Sequence, residues 1–333
     1  MKLIQKLSAV FAAAAMTLTL AGCGNSGTSS TATNSAASKT STPASTADSA
    51  ASSAAESKTS ETSSTPASSV ASETESTTST AANFRTVDQI KESGEVKIGV
   101  FSDKNPFGYV DNDGNYKGYD VYFAERIAKD LGVKLTLVPV EAAARAEFLE
   151  TAKVDIILAN FTVTPERAEK VDFAPAYMKV ALGVVSPDSA VIKSVDDLKG
   201  KTLIVVKGTT AETYFSENAP DVKLQKYDEY NEAYSALQDG RGDAFSTDNT
   251  EVLAWAKSNP GFTVGIDSLG STDAIAPAVT KGNATLLQWL TDEITALGEE
   301  QFFHKDYDET LAAVYGDDEA YKENLVVEGG KMD

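Results

Sequence analysis

From about residue 84 onward, short apolar runs and amphipathic stretches follow one another in the order strand, helix, strand, helix. Residues 96–101 form a β-rich run. Val121, Ala124, Ile127, Ala128 and Leu131 fall on one face of a helix, and Gly132 follows as its stop. Residues 134–140 predict a second strand, 144–152 a helix and 154–159 a buried strand. Val/Ile-rich strands separated by helices imply a parallel sheet and an α/β fold. The pattern then restarts. Ser194-Val195-Asp196-Asp197 is a capping-box sequence opening a short helix that Gly200 ends. Residues 202–206 predict a strand, Gly208-Thr209-Thr210 opens a helix, and 243–245 predict a strand ending at Ser246-Thr247-Asp248. Residues 284–298 carry a strong amphipathic helical pattern. The folded region therefore reads as two α/β units with a late helical return, and no sequence repeat relates them.

The first 82 residues have a different character. Lys2 and Lys6 precede an apolar stretch, residues 7–21, that is too short to span a bilayer and reads as a signal-peptide core. It ends in Leu20-Ala21-Gly22-Cys23, which resembles the processing box of bacterial lipoproteins. That resemblance implies cleavage after residue 22 and a lipid anchor on Cys23, the only cysteine of the chain. Between Gly24 and Ala82, 45 of 59 residues are Ser, Thr or Ala. Such a segment cannot bury enough apolar surface to offset its ordering entropy, so residues 23–82 read as a disordered linker behind the anchor.

Composition removes several function classes. The formal net charge is −20, from 49 acidic and 29 basic residues, which speaks against nucleic acid as a partner. With one cysteine and one histidine, neither an intrachain disulfide nor a Cys/His zinc cluster is available. No cofactor or metal is expected.

Candidate chemistry collects in four segments placed near strand ends, where open α/β sheets bind ligands. In Asn160-Phe161-Thr162-Val163-Thr164-Pro165-Glu166-Arg167, Thr164 is a good N-cap and Pro165 a good first helical residue. Thr162 and the first amides of that turn face an anion, and Arg167 either forks onto a carboxylate or pairs with a surface acid. Lys207-Gly208-Thr209-Thr210 is either an anion cradle or an ordinary capped helix start. Asp248 either holds an ammonium or caps the next helix. Phe107, in Asn105-Pro106-Phe107-Gly108, either walls a pocket or belongs to the core. Together these supply what a zwitterion needs: an anion site, a cation site and an apolar wall.

Over residues 84–333 the chain resembles the family 3 solute-binding proteins of bacterial ABC transporters, which bind polar amino acids. The resemblance rests on Gly118-Tyr119-Asp120-Val121 with Ala124 and Ile127, Lys153-Val154-Asp155, residues 162–167, Val171-Asp172-Phe173 with Pro175 and Tyr177, Gly208-Thr209-Thr210, and Gly242-Asp243-Ala244 before Asp248. Tyr122 departs from the family signature, which carries an acid there. The resemblance implies a two-lobed periplasmic-binding-protein type II (Venus flytrap) fold with two crossover hinges: lobe 1 from 84–183 plus 275–333, lobe 2 from 184–274. It implies that Arg167 and Thr162 take a ligand carboxylate with help from Thr210 or Thr209, and that Asp248 takes the α-ammonium. Asn160, Phe107 and Arg145 are further pocket candidates.

Within the family, residues 140–149, 155–162, 177–184 and 301–305 are similar to the cysteine-binding members. The resemblance thus implies a monomeric, extracytoplasmic L-cysteine carrier, lipid-anchored to the membrane or periplasmic, that serves an ABC permease. The alternatives are a glutamate, aspartate or glutamine carrier, a secreted dehydratase of the cyclohexadienyl type, and a ligand sensor.

Overall fold

The computed structural model describes residues 83–332. The first strands are β1 (Glu95–Val100), β2 (Asp103–Lys104), β3 (Gly108–Val110), β4 (Tyr116–Lys117), β5 (Lys134–Pro139), β6 (Ile156–Ile157) and β7 (Val171–Phe173). There follow β8 (Met178–Pro187), β9 (Thr202–Val206), β10 (Lys223–Tyr227), β11 (Ala244–Asp248), β12 (Phe262–Ile275) and β13 (Ala278–Thr280).

Two five-stranded sheets result, one in each lobe, ordered β5-β1-β6-β13-β7 and β10-β9-β11-β8-β12; β2, β3 and β4 make a small third sheet. In each large sheet four strands share one sense, and a single strand, β13 in the first and β8 in the second, runs antiparallel to both of its neighbours. The sheets are therefore mixed. The cause is the path of the chain: it crosses between sheets twice, after β7 and after β12, and each crossing delivers a strand in the opposite sense. The two crossings are hydrogen-bonded to each other, Tyr177 N to Ile275 O at 3.0 Å and Ala174 N to Pro277 O at 2.9 Å. The lobe boundary expected at 183–184 falls inside β8, which belongs to the second sheet along its whole length from Met178.

Apolar periodicity accounts for the helices that cover the sheets. Helix Tyr119–Leu131 buries Val121, Ala124, Ile127, Ala128 and Leu131 and ends at Gly132, whose φ of 73° is the left-handed stop. Helix Ala284–Glu299 buries Leu286, Leu290, Ile294 and Leu297, a spacing of four, four and three. Ser194 closes its capping box onto a 3-10 turn, Val195–Leu198. Helix 144–152 proves shorter, a 3-10 turn Ala142–Ala144 followed by Arg145–Glu150. Tyr122 stacks on Phe302 at 5.5 Å, so its departure from the acid of the signature adds to packing on the first lobe. Among the described residues no helix is long and apolar enough to cross a membrane. The predicted signal peptide, Cys23 and the whole of the linker lie outside the described residues.

Candidate functional site

The first lobe's side of the site is built at the end of β6. Ala159 and Asn160 both adopt left-handed backbone, φ 33° and 44°, which costs free energy in residues bearing a Cβ and is tolerated best by asparagine. Asp120 holds the turn: its Oδ2 accepts from Asn160 N at 2.9 Å and its Oδ1 accepts from the Tyr177 hydroxyl at 2.5 Å. Burial raises the Asp120 carboxyl to about 6, against the lowering effect of those two bonds. The turn aims the Asn160 side chain into the cleft. Nδ2 donates to Asp248 Oδ2 at 3.2 Å, which fixes the amide orientation, and Oδ1 is left buried with no partner among the described residues.

Thr164 then caps helix Pro165–Lys170 through Arg167 N at 3.2 Å, as its sequence predicts. That helix delivers Arg167 over the Phe161 ring at 5.0 Å. Its Nη1 donates to Thr162 O at 2.8 Å and its Nη2 to Gly208 O at 2.9 Å, the latter across the cleft. Burial lowers the Arg167 pKa, and Asp248 and Tyr230 oppose that shift. Nε and one N–H on each terminal nitrogen remain for a ligand. The Thr162 and Thr210 hydroxyls make no hydrogen bond among the described residues. Arg167 and Thr210 line one interlobe cavity of about 400 Å³, together with Leu182, Tyr214 and Asp273.

Two candidates have other work. Arg145 is buried, with Nε on Ala142 O, Nη1 on both Ala159 O and Asn160 O, and Nη2 on Gly208 O, all between 2.9 and 3.1 Å. Four of its five N–H groups thus go to carbonyls, and it braces the left-handed turn rather than offering a fork to a ligand. Burial, with Arg167 close by, lowers its pKa to about 9. Thr209 donates to Val206 O at 2.7 Å and accepts from Glu212 N at 3.3 Å, so it is the N-cap of helix Thr210–Asn218. In both cases the reason is local backbone left without a partner, which the side chain satisfies.

On the second lobe, Asp248 is the last residue of β11, at the strand end its sequence predicts, and makes no cap bond to helix Asn249–Ser258. Its carboxylate instead faces the cleft. Oδ2 takes the Lys104 ammonium at 2.7 Å as well as Asn160, while Oδ1 has no partner among the described residues. Lys104 also lies 3.2 Å from Glu251 Oε2 and bonds the Tyr230 hydroxyl at 3.3 Å. Burial opposes its charge, but Asp248, Tyr230 and Glu251 more than offset this and hold its pKa well above the usual value. Phe107 is fully buried, and its carbonyl abuts Gly118, so it belongs to the core as well as to the wall behind Lys104.

Lys104, Tyr230 and Glu251 were not singled out by their sequence context. A lysine between Asp103 and Asn105 reads as solvated loop, and only the fold carries it to acids on the other lobe.

Burial raises the Glu251 carboxyl to about 7, with Lys104 pulling the other way. An acid whose folded pKa exceeds its unfolded value favours folding most at low pH. Its contribution falls as pH rises from the ordinary 4.5 to about 7 and is constant above. Melting of the unliganded protein tests this. Relative to Glu251→Gln, the wild type is expected to lose melting temperature between pH 5 and pH 8, and a difference independent of pH would contradict it.

A cleft with a guanidinium on one lobe and a carboxylate on the other, joined by two adjacent crossings, defines a two-lobed solute receptor. The family model of the bacterial extracellular solute-binding proteins, family 3, matches residues 96–310, and the chain belongs to that family. Among solved structures, the cysteine-binding protein from Campylobacter jejuni is 56% identical, with a TM-score of 0.71, covering 73% of this chain and 98% of that one. A solute receptor for L-cysteine of Neisseria gonorrhoeae is 51% identical, with a TM-score of 0.71, covering 73% of this chain and all of that one (100%). The L-cystine-binding protein of Escherichia coli K12 is 30% identical over 213 residues, 63% of this chain and 80% of that protein.

Proposed function

We propose that the protein is the extracytoplasmic binding component of an amino-acid ABC importer, that its ligand is L-cysteine, and that it is anchored through a lipid on Cys23. The observation that carries the amino-acid reading is the set of groups left without partners among the described residues. On one side are N–H groups of Arg167 and the hydroxyls of Thr162 and Thr210. On the other are Asp248 Oδ1 and the buried Asn160 Oδ1. A buried acceptor without a donor costs roughly 1–3 kcal/mol, which an ammonium seated there relieves. The first set takes the carboxylate and the second the α-ammonium. Because the sets come from both lobes, the zwitterion favours the closed arrangement.

The choice of cysteine rests on the two cysteine-binding relatives, each above half identical to this chain and matched over nearly its whole length. Delivery to a permease rests on the same kinship. The anchor rests on the position of the single cysteine at the end of the apolar leader.

Thermal melting of the purified protein against each common amino acid tests the carrier reading. A ligand at about a hundred times its dissociation constant stabilises the fold by roughly 2.7 kcal/mol. A shift of several degrees with reduced L-cysteine, and little with the rest, is the expected result. A shift only with glutamate, aspartate or glutamine would remove cysteine and keep the carrier. No shift with any amino acid would remove both. Loss of the protein from the membrane fraction on Cys23→Ser tests the anchor; retention would contradict it.

A further inference from the structure

Lys104 is 1% exposed, carried by the first lobe and buried against the second. Its ammonium sits 2.7 Å from Asp248 and 3.2 Å from Glu251. The rings of Tyr230, Phe101 and Phe107 lie 4.8, 5.5 and 6.0 Å from it. Two carboxylates and three aromatic faces make a pocket of the kind that recognises a cationic group. The cation in it belongs to the protein. The neighbouring residue fixes the strand that carries it: Asp103 accepts from Tyr230 N at 2.7 Å and Asn231 N at 3.3 Å, across the cleft.

We propose that Lys104 sets side-chain specificity, its tethered ammonium occupying the place that the cationic end of a basic amino acid would take, so that the cleft rejects arginine and lysine and accepts a short neutral side chain. This rests on the reading that Asp248 and Arg167 grip the zwitterion. Asp248 is the shared group. The ligand ammonium lies on Oδ1 and Lys104 on Oδ2, so the ligand side chain leaves its α-carbon close to Lys104. A second positive charge there meets a resident cation in a buried site, where like charges discriminate strongly. With Lys104 neutralised, Asp248 and Glu251 stand as buried carboxylates without their ammonium. A basic side chain then supplies the missing charge, while a short neutral ligand leaves them unpaired and loses affinity.

Calorimetric titration of the full chain with L-cysteine, L-arginine and L-lysine tests this, using the wild type, Lys104→Ala and the near-isosteric Lys104→Gln. Lys104→Ala is expected to gain at least about tenfold for arginine or lysine and to lose at least about tenfold for the ligand that the wild type prefers. A role confined to folding would weaken all ligands alike and leave their ranking unchanged. An unchanged ranking in both variants therefore overturns the proposal. So does a wild type that binds arginine or lysine within tenfold of its best ligand, a result that needs no variant to fold. A wild type that prefers another neutral amino acid removes the cysteine reading, and the ranking of neutral against basic ligands still decides the role of Lys104.

Discussion

Arg167→Ala is expected to weaken binding of every amino acid by at least about thirtyfold, with little change in the melting temperature of the unliganded protein. The guanidinium has two roles that the substitution removes together. On the proposed reading it supplies the fork for the ligand carboxylate, and through Nη2 on Gly208 O it joins the lobes. Truncating one partner of a buried charged pair costs roughly 2–5 kcal/mol, much of it from the group left unpaired. The loss is uniform because every amino acid presents the same carboxylate. The unliganded fold is spared because burial already works against the charge of Arg167. Titration with several amino acids checks both halves, and binding within threefold of the wild type would show that the carboxylate lies elsewhere.

Gly208→Ala is expected to weaken all ligands by about thirtyfold through the lobes rather than through contact. A Cβ built on Gly208 lies 2.4 Å from Ala143 Cα and 2.7 Å from Ala143 N, backbone atoms of the other lobe, and φ is +73°. The alanine therefore carries left-handed strain and, where the lobes meet as here, a clash with the facing backbone. Overpacking of this size costs roughly 1–3 kcal/mol, and a cost of about 2 kcal/mol on the closed form is close to thirtyfold in apparent affinity. It also moves away the carbonyl that receives both Arg145 and Arg167. Small-angle scattering with saturating ligand distinguishes this from a lost contact. The variant should remain more extended than the wild type. Full compaction together with unchanged affinity would contradict the account.

Much of this architecture is legible in the chain because burial is one-sided. Val121 to Leu131 and Leu286 to Leu297 declare their helices by spacing, and Leu203 to Val206 declare a fully buried strand. Strand β12 does not declare itself. Much of it is exposed, and it contains Gly265, Gly270, Asp267 and Asp273. What holds it is antiparallel pairing with β8, interrupted by three register shifts, and pairing energy leaves little mark on composition.

The site divides in the same way. Thr164, Pro165 and Arg167 are legible because an N-cap and the side chain a turn later lie within four residues. Asp248 is legible from its place at a strand end. Lys104 meets Asp248 from 144 residues away, so no local pattern signals it. Arg145 and Thr209 carry the opposite lesson. Polar residues beside a cleft are drawn first to the nearest unpaired backbone, and only the fold shows which remain free.

On the proposed reading a cysteine zwitterion is held at both ends. Calorimetric titration with reduced L-cysteine, with cysteamine, which lacks the carboxylate, and with 3-mercaptopropionate, which lacks the ammonium, tests it most directly. A site built around buried polar groups rejects an analogue that leaves them unpaired, so each truncated thiol is expected to bind at least about a hundredfold more weakly than cysteine, which binds one to one. Binding of either analogue within tenfold of L-cysteine would contradict the account.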